Sequence, residues 1–159
     1  MQAGGAVGDI RLCGPEAAGE LHRLTSAAFA GYGWLDPPSG ALSETVDDVW
    51  QDLARNHGLL YRLDGRPVAG LRFERRPDHL YVHRVAVDPA FQRRGLGRAL
   101  MHWVHEYCRR AGIAEVRVGV RSQLPGNRQF YEALGYEVIA EHSHPGHTRV
   151  SWYEMRFRP

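Results

Sequence analysis

Gln92-Arg93-Arg94-Gly95-Leu96-Gly97-Arg98 lies between a run that reads as a strand, Leu80 to Val87, and one that reads as a helix, Leu96 to Ala111. Strand, glycine-punctuated loop and helix N-terminus together make a receptor for an anion. The first N–H groups of a helix have no intrahelical acceptor, and the helix dipole favours negative charge beside them. Gly95 and Gly97 have no Cβ, so a ligand can approach the backbone closely and the loop can take dihedrals that other residues avoid. Arg93, Arg94 and Arg98 gather positive charge at the same place, which suits a pyrophosphate better than a carboxylate.

Working outward, the helix after the loop carries apolar residues at 96, 100, 103, 104, 107, 108 and 111 and stops at Gly112. Glu115 to Val120 alternates valine with other residues and reads as a strand, Asn127 to Leu134 as a short helix closed by Gly135. Tyr136 to Ala140 and Thr148 to Phe157 are expected to pair around His144-Pro145-Gly146-His147. On the other side of the loop, Leu59 to Leu63 and Val68 to Glu74 form a hairpin about Asp64-Gly65, a pair that accepts positive φ. Strand 79 to 87 follows a turn at Arg76-Pro77-Asp78. Nearer the start, Val7 to Leu12 reads as a strand and Pro15 to Ala30 as a helix. Ser43 is read as the N-cap of a helix running to about Asn56, with Glu44, Asp47 and Asp48 in its first turn. Between those helices, Gly31 to Gly40 must be loop, and Tyr32, Trp34 and Leu35 give it apolar surface.

Length and composition narrow the class. With 159 residues, 43% hydrophobic and 24% charged, one globular domain over residues 7–159 is expected, with residues 1–6 disordered. A formal net charge of +2 is too small to imply nucleic acid. There is no apolar run of roughly 18 residues and no basic-then-apolar leader, so the expectation is a cytoplasmic protein without a membrane anchor. Cys13 and Cys108 lack metal-type spacing and are read as reduced thiols. His142, His144 and His147, and the pair His102 and His105, lack Cys, Asp or Glu partners at ligand spacing. They are read as a polar hairpin tip and a solvated helix face, and no metal is expected. All 20 basic residues are arginine. The absence of lysine, and of a second βα unit carrying an acidic ribose ligand, argues against P-loop and Rossmann nucleotide binders.

Gln92-Arg93-Arg94-Gly95-Leu96-Gly97 matches Gln/Arg-x-x-Gly-x-Gly/Ala, and through it the chain resembles the GNAT acetyltransferase superfamily. His83 to Pro89 is similar to that family's fourth strand and the turn after it; Phe130-Tyr131-Glu132-Ala133-Leu134-Gly135-Tyr136 is similar to its final helix and glycine stop. The resemblance covers residues 79 to 138, about half the chain. It implies an α/β (α+β) fold: a mixed, mostly antiparallel central sheet, splayed between strands four and five and flanked by four helices. It also implies acetyl-CoA as co-substrate and a primary amine as acceptor, either a small molecule or a peptide, in a monomer or homodimer. Residues 92–98 would wrap the pyrophosphate, and Val85, Ala86 and Val87 would offer backbone groups to pantetheine.

Moving an acetyl group from a thioester to an amine needs a base for the ammonium, donors for the oxyanion and an acid for the thiolate. Strand alternation puts Tyr81, His83, Val85 and Val87 on one face, and imidazole is the side chain suited to a base near neutral pH. Glu74 is the alternative base. Tyr131 matches the family's tyrosine and is read as the acid, turned away from the face of Phe130 and Leu134. The sequence departs from the family pattern at Leu124, where asparagine is common. Asn127 is read both as a cofactor contact and as a helix N-cap. The region between the first two helices, Tyr32 to Leu42, and the last hairpin, His142 to Arg149, are expected to shape the acceptor pocket. Tyr32, Trp34, Asp36 and Tyr81 are candidate contacts, and Asp36 with Glu44 would suit a small cationic amine. The competing readings are a non-catalytic acyl-CoA sensor, which needs neither His83 nor Tyr131, and transfer of a different acyl group.

Overall fold

The computed structural model describes residues 7–144, 146 and 150–159. The disorder expected for residues 1–6, and positions 145 and 147–149 of the last hairpin with His147, lie outside the described residues. The chain runs β1 (Gly8–Cys13), α1 (Ala18–Phe29), α2 (Val46–Arg55), β2 (His57–Leu63), β3 (Arg66–Arg75), β4 (Leu80–Val87), α3 (Leu96–Ala111), β5 (Val116–Arg121), α4 (Pro125–Ala133), β6 (Glu137–Ser143) and β7 (Ser151–Phe157). The strands form one seven-stranded sheet ordered β1-β2-β3-β4-β5-β7-β6. Every neighbouring pair is antiparallel except β4 and β5, which are parallel.

Local chemistry sets most boundaries. Asp64 (φ 48°) and Gly65 (φ 79°) turn the β2–β3 hairpin, both in the left-handed region that such two-residue turns demand. The start of α2 corrects the expected Ser43 cap. Thr45 Oγ1 accepts from the Asp48 amide at 3.1 Å, and Asp48 Oδ2 accepts from the Thr45 amide at 2.8 Å. This reciprocal box satisfies two end donors at once, whereas Ser43 Oγ donates to the Gly40 carbonyl instead. At the start of α4 the expected Asn127 cap is also replaced: the helix begins at Pro125 with Leu124 before it, and Asn127 sits inside the first turn.

Each face of the sheet buries its own apolar cluster. Leu71, Phe73, Leu80 and Val82 pack with Leu100, Met101, Val104 and Cys108 of α3. Leu60 and Ala86 pack with Leu21 and Leu24 of α1 and Val49 and Leu53 of α2. His105 is therefore no solvated helix residue. It is 2% exposed, shares a 2.7 Å hydrogen bond with the Tyr136 hydroxyl, and burial pulls its pKa down to about 4, so it is neutral.

Strand β4 does not keep the simple alternation expected of it. Arg72 pairs with His83 but Gly70 pairs with Ala86, so two steps on β3 face three on β4, and Arg84 takes φ 54° to absorb the extra residue. A bulge reverses which side successive residues occupy. Val85 and Val87 consequently pack on the α3 side with Leu80 and Val82, while His83 reaches Asp52 of α2 on the other side. The expectation that His83 shares a face with Val85 and Val87 is thus corrected.

Candidate active site

Strands β4 and β5 are paired only through Leu80 with Val116, Tyr81 with Arg117 and Val82 with Val118. Beyond these three pairs they separate, and a cleft of about 180 Å³ opens between them, lined by Tyr81, His83, Arg84 and Val85 on one wall and Gly119, Val120 and Arg121 on the other. A second cleft of about 710 Å³ runs from Val85 and Val87 along Gln92, Arg93, Gly95, Leu96, Gly97 and Arg98. Phe29, Val85, Asn127 and Tyr131 line both, so the two spaces meet at these side chains.

The larger cleft fits an extended polyphosphate ligand in its built features. Gly95 caps α3 in the left-handed region (φ 78°), and no side chain caps the amides that follow. Those first-turn N–H groups are left for an anion. A Cβ on Gly95 would meet nothing within 4 Å, and one on Gly97 would lie in ordinary contact with Phe130 at 3.5 Å and Val87 at 3.7 Å, so the protein leaves open space beside the loop. Arg93 itself sits at φ 64°, a second left-handed turn in the same loop. Arg94 is placed differently from its neighbours: its guanidinium lies 5.1 Å over the Phe91 ring, and it lines neither cleft. Ala86 points into the α1–α2 cluster, so only its main chain can serve a ligand.

Around His83 a charge network is drawn together from four elements. Arg72, 1% exposed, donates from Nη1 and Nη2 to Glu44 at 3.2 and 2.6 Å and from Nη1 to Asp52 Oδ2 at 2.8 Å. Asp52 Oδ2 is also 2.9 Å from His83 Nε2, and Asp52 Oδ1 accepts from Asn56 at 2.8 Å. Burial opposes ionisation of Asp52, but the bonds from His83 and Asn56 and the Arg72 charge outweigh it and hold the carboxyl well below the usual range. An ionised carboxylate can only accept, so His83 Nε2 carries a proton, and in the neutral ring Nδ1 holds the lone pair. Nδ1 is shielded from solvent and engages no described hydrogen-bonding group.

Tyr131 is 8% exposed, edge-on to Phe130 and Tyr136, in the cluster that α3 completes. It is both core residue and cleft wall. Burial first, then the neighbouring Tyr81, pushes its pKa far above the usual phenol value, so its hydroxyl stays protonated. The other expected positions scatter. Glu74 pairs with Arg76 at 3.4 Å and lines neither cleft, since β4 lies between its strand and the gap. Trp34 is 60% exposed and lines neither, as does Asp36. Tyr32 lines the larger cleft, not the acceptor side, and Tyr81 lines the smaller. Glu44, expected to meet a cationic acceptor, is spent on Arg72. Sequence reasoning missed Asp52, Arg84 and Arg121. Asp52 looked like one more acidic residue on a helix, and only the packing of α2 against β4 sets it opposite His83.

Both thiols are held in the protonated form: burial, reinforced by Glu16 and Glu20, pushes Cys13 up to about 12, and burial pushes Cys108 up to about 11. Among the described residues no group of three or more His, Cys, Asp or Glu could hold a metal ion, and no helix is long and apolar enough to cross a membrane.

A mixed sheet split after its fourth strand, with a glycine-punctuated anion loop at one end of the split, defines the class of acyltransferases built on this fold. The chain belongs to the acetyltransferase (GNAT) family, whose model matches residues 22–136. Among curated relatives, the [ribosomal protein bS18]-alanine N-acetyltransferase of Escherichia coli strain K12 is 36% identical over 59 residues, 37% of this chain and 40% of that protein. The mycothiol acetyltransferase of Rhodococcus erythropolis is 28% identical over 135 residues, 78% of this chain and 44% of that protein. The chain thus spans less than half the length of the curated relatives it matches. Among solved structures, the ribosomal-protein-S18-alanine N-acetyltransferase from Escherichia coli superposes with a TM-score of 0.80 at 18% identity, covering 96% of this chain and 94% of that one. An N-acetyltransferase from Thermoplasma acidophilum, solved in complex with coenzyme A, gives 0.77 at 17% identity, covering 96% and 99%.

Proposed function

We propose that the protein is an acetyl-CoA-dependent N-acetyltransferase that acts on a primary amine by direct attack. The observation that carries this reading is the meeting of the two clefts at Tyr131, with the anion loop at the far end of one and the Asp52-backed His83 in the other. Gln92, Arg93, Gly95, Leu96, Gly97 and Arg98 would hold the pyrophosphate, with backbone amides as the chief donors. Val85 and Val87 would hold the pantetheine arm through their main chain. Asn127 is placed to touch it where the clefts join. Acetyl-CoA supplies the activated acetyl thioester.

The chain's own groups then divide the proton work. An ammonium is no nucleophile, and His83, which lines the smaller cleft, would take its proton while Nε2–H stays bonded to Asp52, which favours the imidazolium that results. The Tyr131 hydroxyl, protonated throughout the working range, donates to the sulfur as it leaves. The C–N bond forms and the C–S bond breaks while nitrogen gives up two protons, one to His83 before attack and one as the tetrahedral intermediate collapses. Sulfur takes one from Tyr131, the second nitrogen proton replaces it on the phenol through solvent, and the proton on His83 leaves to solvent. Relatives bearing the names of a ribosomal-protein alanine acetyltransferase and a methionine sulfoximine acetyltransferase support both peptide and small-molecule amines as the acceptor class. Free-thiol release from acetyl-CoA across a panel of amines, amino acids, aminoglycosides and peptides tests the reading. Thiol release that depends on amine is expected. Coenzyme A binding without release for any amine would make the protein a sensor instead.

A further inference from the structure

The cleft beside His83 is lined by two arginines and, among the described residues, by no carboxylate. Arg84 comes from β4 and Arg121 from the end of β5, so the two cations approach from opposite lips of the gap. They feel one another: burial first, then the Arg84 charge, lowers the pKa of Arg121. Among the described residues Arg121 meets no carboxylate, and Arg84 shares Glu44 with Arg72. Arg121 gives its two terminal nitrogens to the carbonyls of Pro37 and Pro38, which carry no charge. Arg84 Nε lies 3.6 Å from Glu44 Oε1, but that oxygen already holds Arg72 Nη2 at 2.6 Å, and Arg84 Nε is shielded from water without a hydrogen bond. The chain also strains its backbone to put Arg84 there, since a non-glycine residue at φ 54° is disfavoured and persists where surrounding structure imposes it.

We propose that the acceptor is a small primary amine that also bears a carboxylate, as a free amino acid does, and that Arg84 and Arg121 hold this carboxylate between them while the amine turns to His83. The proposal rests on the reading of this cleft as the acceptor side. A planar carboxylate is the partner that guanidinium forks match best, and it supplies a negative charge that no described residue lining the cleft carries. Arg121, Tyr81 and Gly119 continue into a hollow of about 220 Å³ against Trp152, which gives the acceptor's side chain aromatic surface.

Calorimetry on the protein saturated with coenzyme A separates this from the acetyl-transfer reading, because it requires no turnover. Matched pairs are titrated: phenylalanine against 2-phenylethylamine, and alanine against ethylamine, with alaninamide standing for a peptide N-terminus. Each amino acid is expected to bind at least ~10-fold more tightly than its partner lacking the carboxylate. Arg84→Asn, a residue tolerant of positive φ, should collapse that ratio, and Arg84→Lys should restore part of it. Equal affinities within the pairs, alaninamide matching alanine, or a ratio that survives in both Arg84→Asn and Arg121→Gln would overturn the proposal. Should the ratio hold while no amine releases thiol, the anion site stands and the transferase reading falls.

Discussion

Asp52 serves two hydrogen-bond donors, Arg72 and His83, with a single oxygen, and that arrangement determines what its loss would do. Its folded pKa is depressed, so folding favours the ionised form. The resulting stabilisation is complete above about pH 4, where an unfolded aspartate has ionised, and fades as pH falls through the lower folded value. Asp52→Asn leaves Arg72 with one carboxylate partner and frees the His83 tautomer. We expect a loss of roughly 1–3 kcal/mol at neutral pH, with the gap from wild type narrowing below about pH 4 in denaturant titrations. We also expect kcat/KM to drop roughly 10- to 10²-fold at neutral pH while KM for acetyl-CoA holds. A variant that melts lower but keeps the wild-type pH–rate profile would reduce Asp52 to a structural role. Tyr131→Phe tests the other proton carrier: the ring and its packing remain, so kcat and kcat/KM should fall together by roughly 10- to 10³-fold with little change in melting temperature. Because the phenol's pKa is raised, no alkaline limb from Tyr131 should appear in the wild-type profile below about pH 10. Wild-type turnover in Tyr131→Phe, coupled with lower stability, would make the ring a packing group only.

The loop before α3 and the bulge in β4 differ in how far their causes lie along the chain. Gly95, the uncapped first turn of α3 and the apolar stripe behind it are all set by residues within a few positions of one another, which is why the anion loop is readable from sequence. Gly95→Glu adds a negative charge beside those amides and strains a left-handed position, so coenzyme A binding by calorimetry should weaken by more than ~10²-fold in a folded variant. Unchanged affinity would show that the phosphates lie elsewhere. Arg94→Ala should cost far less, since Arg94 lies over Phe91 rather than along the cleft. The bulge, by contrast, leaves no mark in His83-Arg84-Val85-Ala86. It exists only in the register between β3 and β4, and a period-two reading carried across it places His83 on the wrong side. Arg72 was hidden for a related reason: within a strand bearing Leu71 and Phe73 it reads as the outward partner of a one-sided pattern, yet α2 covers it and it is 1% exposed.

At the scale of the molecule, strand and helix order were legible because periodicity and turn residues punctuate each element, and the splay between β4 and β5 followed from the family resemblance, whereas their parallel pairing is read from the structure. The lining of the smaller cleft was not legible. The aromatic and acidic residues of 32–36 looked like a binding loop, but Arg121 ties the carbonyls of Pro37 and Pro38 to the end of β5 and brings only Leu35 and Ser39 of that region to the smaller cleft. Hydrogen exchange can follow the split itself. Coenzyme A should slow exchange in β4 beyond Val82, in β5 beyond Val118 and in the first turn of α3, while β1 and β2 remain as before. Protection confined to residues 92–98 would mean that no ligand enters the gap. The short β4–β5 junction also alters the molecule's colloidal behaviour. An open sheet ordinarily has two edge strands, but a sheet that parts after three pairs carries two more inside it, each with backbone groups lacking a neighbour. Unpaired strand edges are templates for foreign strands. Whatever fills the gap should therefore also shield the protein from self-association, and light scattering is expected to rise faster on storage for the ligand-free chain than for the same chain saturated with coenzyme A; equal rates would show that these inner edges are not templates.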